Sequence, residues 1–243
     1  MCSLLVLLGV DPEWPVLVGA NRDEQRSRSS SPPGLIPGVR RRILAPRDAR
    51  AGGTWIGIND GLWFAAITNV GRRRIADAAS RGRLPLLALD QERFDDVPGA
   101  LRAEVEARPY NGFQLLVTDG GRTWIARHID SVLRIEESDA RLFALSNDDP
   151  LHVEPPPALA EARAPGLPLA ARLDVIARVL LDRGEHGGHR MLKDDGDYGT
   201  VSSSILALPR AGLAGVVWRY AAGPPDRVPY RDYGNLARRL AEG

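Results

Sequence analysis

The chain has a single cysteine in 243 residues, so no internal disulfide framework is possible, which is consistent with a reducing compartment. It also lacks an excess of either charge. Lys+Arg 32 against Asp+Glu 31 gives a formal net charge of +1, which excludes the broad basic field that nucleic-acid partners need. Local clusters such as Arg40-Arg41-Arg42 and Arg72-Arg73-Arg74 read as solvated loop charges. Long apolar runs are missing too. The N-terminal run through Leu4 to Val10 has no lysine or arginine before it, gives way at Asp11-Pro12-Glu13 without a small-residue cleavage site, and is too short to span a bilayer. It reads as a buried strand of a cytoplasmic protein with no membrane insertion. There is no GxGxxG or Walker-type loop and no G-x-S-x-G elbow, so neither common nucleotide site is expected and no cofactor is implied. The four histidines do not build a metal centre. His186 and His189 are separated by two glycines with no third ligand adjacent, and His128 and His152 have no zinc-like spacing.

What is present is an ordinary globular composition, 44% apolar and 26% charged, with no internal repeat and no boundary signal, so residues 1–243 are expected to form one domain. Ser3 to Val10 and Pro15 to Ala20 read as strands around a turn. The Ser-, Pro- and Arg-rich stretch from Ser27 to about Arg50 reads as a loop. Strands from Gly52 to Ile58 and Leu62 to Asn69 flank an Asn59-Asp60-Gly61 hairpin signal. Arg83 to Ala107 has helical spacing that Pro98-Gly99 is expected to divide. Four short strands follow between Phe113 and Leu145, as one group. After Pro155-Pro156-Pro157 come a helix over Leu167 to Arg183, a mobile loop over Gly184 to Asp197, strands at Ser203 to Leu208 and Val216 to Tyr220, and a polar tail. Two groups of antiparallel strands with helices between and beside them point to α+β, with stacked sheets covered by helices.

Cys2 stands directly behind Met1. Removal of Met1 would put a thiol and an α-amine on one residue, and that amine, with a pKa of roughly 7.7–8.0, can accept the thiol proton. The plainer alternative is a small residue that happens to stand second. A cysteine nucleophile also needs groups that hold the carbonyl and donate to the oxyanion. Asn21-Arg22-Asp23-Glu24 ends an apolar strand, and the period of two puts Arg22 and Glu24 on one face and Asn21 and Asp23 on the other, so at most half should line a site directly. A polar turn is the competing reading. Asn69 and Asn147 each end an apolar run, as oxyanion donors or simple turn formers. Tyr198-Gly199-Thr200-Val201-Ser202 is a hydroxyl-rich entry to a strand, able to bind substrate or to pair with backbone.

These residues resemble the NRDE family, named for the tetrad at 21–24 and also called the transport and Golgi organisation protein 2 family. The likeness runs through Met1-Cys2, the tetrad, Gly52-Gly53-Thr54-Trp55-Ile56-Gly57-Ile58, Ala65-Ala66-Ile67-Thr68-Asn69, Arg81-Gly82, Tyr110-Asn111-Gly112-Phe113, Leu145-Ser146-Asn147 and Tyr198-Gly199-Thr200. That family in turn resembles N-terminal-nucleophile hydrolases of the choloylglycine hydrolase and penicillin acylase type. The resemblance implies a four-layer αββα sandwich and acyl transfer from an amide or ester through a thioester on Cys2. Arg22 with Asp23 or Glu24 would fill the arginine and acid roles, and Asn69 and Asn147 the asparagine roles. Asn21, Glu24, Trp55, Thr200 and Ser202 are the matching candidates for substrate contact. NRDE members commonly carry an arginine after Tyr-Gly-Thr, where this chain has Val201, so the charge must come from elsewhere or activity is reduced. The expected partner is a small acyl or amide substrate. The alternative is a carrier on the same fold for haem or an acylated, lipid-like cargo.

Overall fold

An apolar run with no polar alternation must be covered on both faces. In the computed structural model, which describes residues 2–71, 74–146, 156–184 and 190–242, the first such run forms β1 (Cys2–Leu8), antiparallel to β2 (Val16–Gln25). Leu4, Val6 and Leu8 of β1 join Val16, Val18 and Ala20 of β2 in a core shared with a second sheet. Leu5, Leu7 and Leu17 point the other way, into a core under a helix.

The second sheet follows in chain order as β3 (Ser30–Pro37), β4 (Arg42–Asp48), β5 (Ile56–Asn59), β6 (Phe64–Asn69), β7 (Phe113–Thr118), β8 (Thr123–Ile129) and β9 (Val132–Glu137). Each strand pairs antiparallel with the next. Between β6 and β7 run α1 (Arg83–Leu89) and α2 (Val97–Ala107), whose Leu84, Ala88, Val97 and Leu101 cover the outer face of this sheet.

The chain then returns to the first sheet with β10 (Leu142–Leu145), crosses its outer face as α3 (Leu169–Leu180), and completes it with β11 (Asp194–Asp195), β12 (Tyr198–Leu208), β13 (Val217–Ala221) and β14 (Arg231–Asp232). The order is β10-β1-β2-β12-β13-β14, with β11 beside β12. Helix, sheet, sheet and helix make the four-layer αββα arrangement, with the largest apolar core between the sheets. No helix among the described residues is long and apolar enough to cross a membrane.

Several elements differ from the sequence expectation. The stretch from Ser27 to Arg50 holds the β3–β4 hairpin. Buried Ile43, Leu44 and Ala45 anchor it, and β3 is an edge strand with an irregular register between Ser31 and Gly34, where Pro32 and Pro33 are tolerated. The break between α1 and α2 falls after Leu89, not at Pro98-Gly99, because a proline in the first helical turn forfeits no hydrogen bond. β10 pairs with β1 and so belongs to the other sheet from its sequence neighbours. Within the expected loop from Gly184 to Asp197, residues 185–189 lie outside the described residues, while Met191, Leu192 and Lys193 are buried. The polar tail contains α4 (Gly234–Ala241), whose Ala237 and Leu240 close one margin of the inter-sheet core.

Candidate functional site

The site is built around the far end of β2, where apolar residues give way to Asn21, Arg22, Asp23 and Glu24. The strand keeps its alternation. Arg22 therefore continues the inner face of Val18 and Ala20, and Asn21 continues the outer face of Leu17 and Gly19. Asn21 is accordingly a structural tie. Its amide donates to the carbonyls of Leu180 and Met191, both at 2.9 Å, binding the end of α3 and the segment before β11 to the sheet.

Asp23 shares that outer face. Thr200 Oγ1 donates to its Oδ1 at 2.7 Å, and Lys193 Nζ lies 3.6 Å from its Oδ2. Both charged side chains are almost wholly buried, at 2% exposure for Lys193 and 0% for Asp23. Thr200 and Lys193 are locked together by two hydrogen bonds, Thr200 N donating to Lys193 O at 2.9 Å and Lys193 N donating to the Thr200 Oγ1 side chain at 3.1 Å. Burial pushes the Asp23 carboxyl up to about 6, against the opposing pull of the Thr200 hydrogen bond and the Lys193 ammonium. The pairing depends on a bulge. Ser202 stands opposite Arg22 and Thr200 opposite Asp23, so Val201 is the extra residue between them.

On the inner face, Arg22 does not pair with the acids of its own tetrad. Its NH2 donates to Asp48 Oδ2 at 2.6 Å, and its guanidinium lies 4.4 Å from the ring centroid of Trp55. Asp48 also accepts from Arg28 Nε at 2.8 Å and from the amides of Arg50 and Ala51 at 3.1 and 2.8 Å. Burial works against ionisation of Asp48, but the hydrogen bonds from Arg28 and Ala51 and the charges of Arg28 and Arg22 outweigh it and hold the carboxyl below its usual range. Arg28 reaches on to Glu24, at 3.4 Å.

Two glycines let the turn after β4 close. Gly52 has a φ of +70°, a region natural to glycine. Gly53 lies so near Gly82 that a Cβ on it would stand 2.5 Å from the Gly82 carbonyl carbon. That contact, with the Thr54 amide donating to Gly82 O at 2.9 Å, brings the loop before α1 against the turn.

A cavity of about 390 Å³ opens between these parts, within the roughly 300–1,000 Å³ of small-molecule sites. Arg22, Asp23, Glu24, Trp55 and Asn69 all border it. Asn21, Thr200 and Ser202, expected to touch substrate, do not line it. Thr200 reaches the site only through Asp23, and Ser202 lies beside the Tyr220 phenol. The Cα of Cys2 is registered opposite Arg22. Its side chain lies outside what the structure describes, as does Asn147. His186 and His189 also fall outside the described residues, among which no group of three or more His, Cys, Asp or Glu is placed to hold a metal.

Sequence reasoning missed Asp48, Arg28 and Lys193. Asp48 carried one signal, an aspartate before a glycine pair, the type whose side chain caps its own turn. The partnership of Lys193 with Asp23 spans 170 positions and left no local signal.

Residues 1–164 match the family described as Transport and Golgi organisation 2. The chain belongs to that family. No curated protein matches it significantly. Among solved structures, this family member is similar to the C2A mutant of conjugated bile acid hydrolase from Clostridium perfringens, at 13% identity and a TM-score of 0.54, covering 97% of this chain and 93% of that one. It is similar also to penicillin V acylase from Agrobacterium tumefaciens, at 15% identity and a TM-score of 0.52, covering 96% of this chain and 86% of that one. Identities this low carry the fold alone. For this member of the Transport and Golgi organisation 2 family, that fold is of the N-terminal-nucleophile hydrolase type.

Proposed function

We propose that the protein is an N-terminal cysteine amidohydrolase or acyltransferase acting on a small acylated substrate. The observation that carries this reading is the convergence of Arg22, Asp23, Trp55 and Asn69 on one cavity, at the end of the strand whose Arg22 is registered opposite Cys2. With Met1 removed, the Cys2 thiol passes its proton to its own α-amine and attacks the substrate carbonyl. Asn69 and Asn147 donate to the oxyanion that forms. The tetrahedral adduct collapses to a thioester as the substrate amine leaves with the proton. Water, or an acceptor amine in the transferase variant of the reaction, then cleaves the thioester and returns the thiol. Asp23 orients the α-amine, while Arg22, fixed by Asp48 and Trp55, is a rigid cationic wall of the cavity.

Untagged protein tests both steps. Intact-mass measurement is expected to show Met1 absent. Wild type is expected to hydrolyse a member of a panel of acyl amides, acyl-CoAs and acyl homoserine lactones, with Cys2→Ala reduced to background. Equal rates for the two proteins would exclude Cys2 as the nucleophile. Binding of acylated compounds without turnover by either protein would leave a carrier instead.

A further inference from the structure

Charge is not balanced evenly around the cavity. Arg22, Arg28, Arg50 and Arg81 border it, against three carboxylates, Asp23, Glu24 and Asp48. Each carboxylate has a cation of its own. Asp48 holds Arg22 and Arg28, Glu24 holds the far side of Arg28, and Asp23 has Lys193 behind it. Among the described residues, no acid lining the cavity is without a cation. Arg50 is the opposite case. Its backbone amide is fixed to Asp48 Oδ1, yet its guanidinium makes no hydrogen bond and no ion pair with any described residue. The approach of Gly53 to Gly82 sets the Arg50 turn beside the Arg81 loop, where Arg81 donates to the neutral carbonyl of Gly112 at 2.9 Å. The cavity lining therefore includes both guanidiniums, and that of Arg50 has no acidic partner among the described residues.

We propose that Arg50, with Arg81 beside it, receives an anionic group of the ligand, so that the substrate class is a small N-acyl amide carrying a carboxylate or phosphate away from the scissile bond. A guanidinium fork suits such groups because it donates two parallel hydrogen bonds to them. This inference rests on the acyl-transfer reading for the reacting bond, but the binding it asserts does not depend on turnover.

The test is calorimetric titration of the Cys2→Ala protein with two matched pairs. N-octanoylglycine against N-octanoylglycinamide places the anion on the amine side. N-succinyl-octylamine against its succinamide counterpart places it on the acyl side. In at least one pair the anionic member is expected to bind about tenfold more tightly, the scale of one charge-assisted hydrogen-bonded contact. Arg50→Gln on the same background should abolish that preference, and Arg50→Lys should keep part of it. Equal affinities within both pairs, absence of binding by all four compounds, or a preference unchanged in Arg50→Gln would each overturn the proposal. An Arg50-dependent preference with no hydrolysis by wild type keeps the anion site and removes the amidohydrolase. Hydrolysis of charged and neutral members at equal efficiency does the reverse.

Discussion

The two faces of one strand end treat a buried carboxylate in opposite ways. On the inner side of β2, Asp48 is met by two arginines and two backbone amides, and it ionises more readily than a free aspartate. On the outer side, Asp23 accepts from the Thr200 hydroxyl and lies 3.6 Å from the Lys193 ammonium, and burial pushes its carboxyl up to about 6. Burial works to raise both carboxyls but is deeper at Asp23, whose side chain is 0% exposed against 9% for Asp48; there it prevails, while at Asp48 the hydrogen bonds and arginine charges outweigh it. The inner face thus supplies a fixed, charged wall, and the outer face a proton-labile group on the residue next to the one registered opposite Cys2.

The strongest way to break this comparison is to remove Arg22. Arg22→Ala leaves Arg28 as the one arginine on Asp48, and truncating one partner of a buried pair is expected to cost about 3 kcal/mol in urea unfolding. A loss below 1 kcal/mol would mean that Arg28 suffices.

Next comes pH. Asp23 has a raised folded pKa, so the stability it lends is fully present below its unfolded value of 3.8 and is lost as pH rises through about 6. Asp23→Asn should therefore gain on wild type by about 2–3 kcal/mol between pH 4 and pH 7.5. Asp48 has a lowered pKa, so its stabilisation is fully present above the ordinary aspartate range and is lost only below it; Asp48→Asn should hold a nearly constant deficit against wild type across the same interval and recover only as pH falls below about 4. Parallel pH profiles for the two variants would remove the distinction between the faces.

A smaller effect tests the outer face alone. Asn21→Ala forfeits two buried hydrogen bonds and is expected to cost about 1–3 kcal/mol, while leaving ligand binding in the cavity unchanged. A large binding defect in a folded Asn21→Ala protein would return this residue to the site. The smallest expected change is Trp55→Leu, which removes the stacking surface under Arg22 at about 0.5–2 kcal/mol and is measured by the same unfolding assay.

Much of this arrangement was legible in the sequence because it is local. The period of two in β2 already divided Arg22 and Glu24 from Asn21 and Asp23, although its corollary that at most half the tetrad lines a site was wrong, since Arg22, Asp23 and Glu24 all border the cavity; Asn69 announced itself at the end of an apolar run. The two-sheet α+β layout followed from strand and helix spacing. What was not legible depends on distance in sequence. Arg22 finds Asp48 across the gap between the sheets, and Asp23 finds Lys193 in a segment whose glycines and charges read as a loop. The β3–β4 hairpin was hidden by the prolines of its edge strand. α4 does carry an apolar face, Leu236, Ala237 and Leu240 against Asn235, Arg238 and Arg239, but at eight residues it is too short to stand out from a polar tail.

The bulge at Val201 has one further consequence. A residue that the ladder skips is released from pairing, so its side chain can change without shifting the register of its neighbours. Position 201 is in that sense an editable letter, where exchange between valine and arginine alters the charge offered near the tetrad and spares the fold. Insertion is another matter. Losing Val201 would only turn the bulge into a regular ladder that keeps Thr200 opposite Asp23, but adding one residue there would turn the side chains of Tyr198 to Thr200 to the opposite face and carry Thr200 away from Asp23.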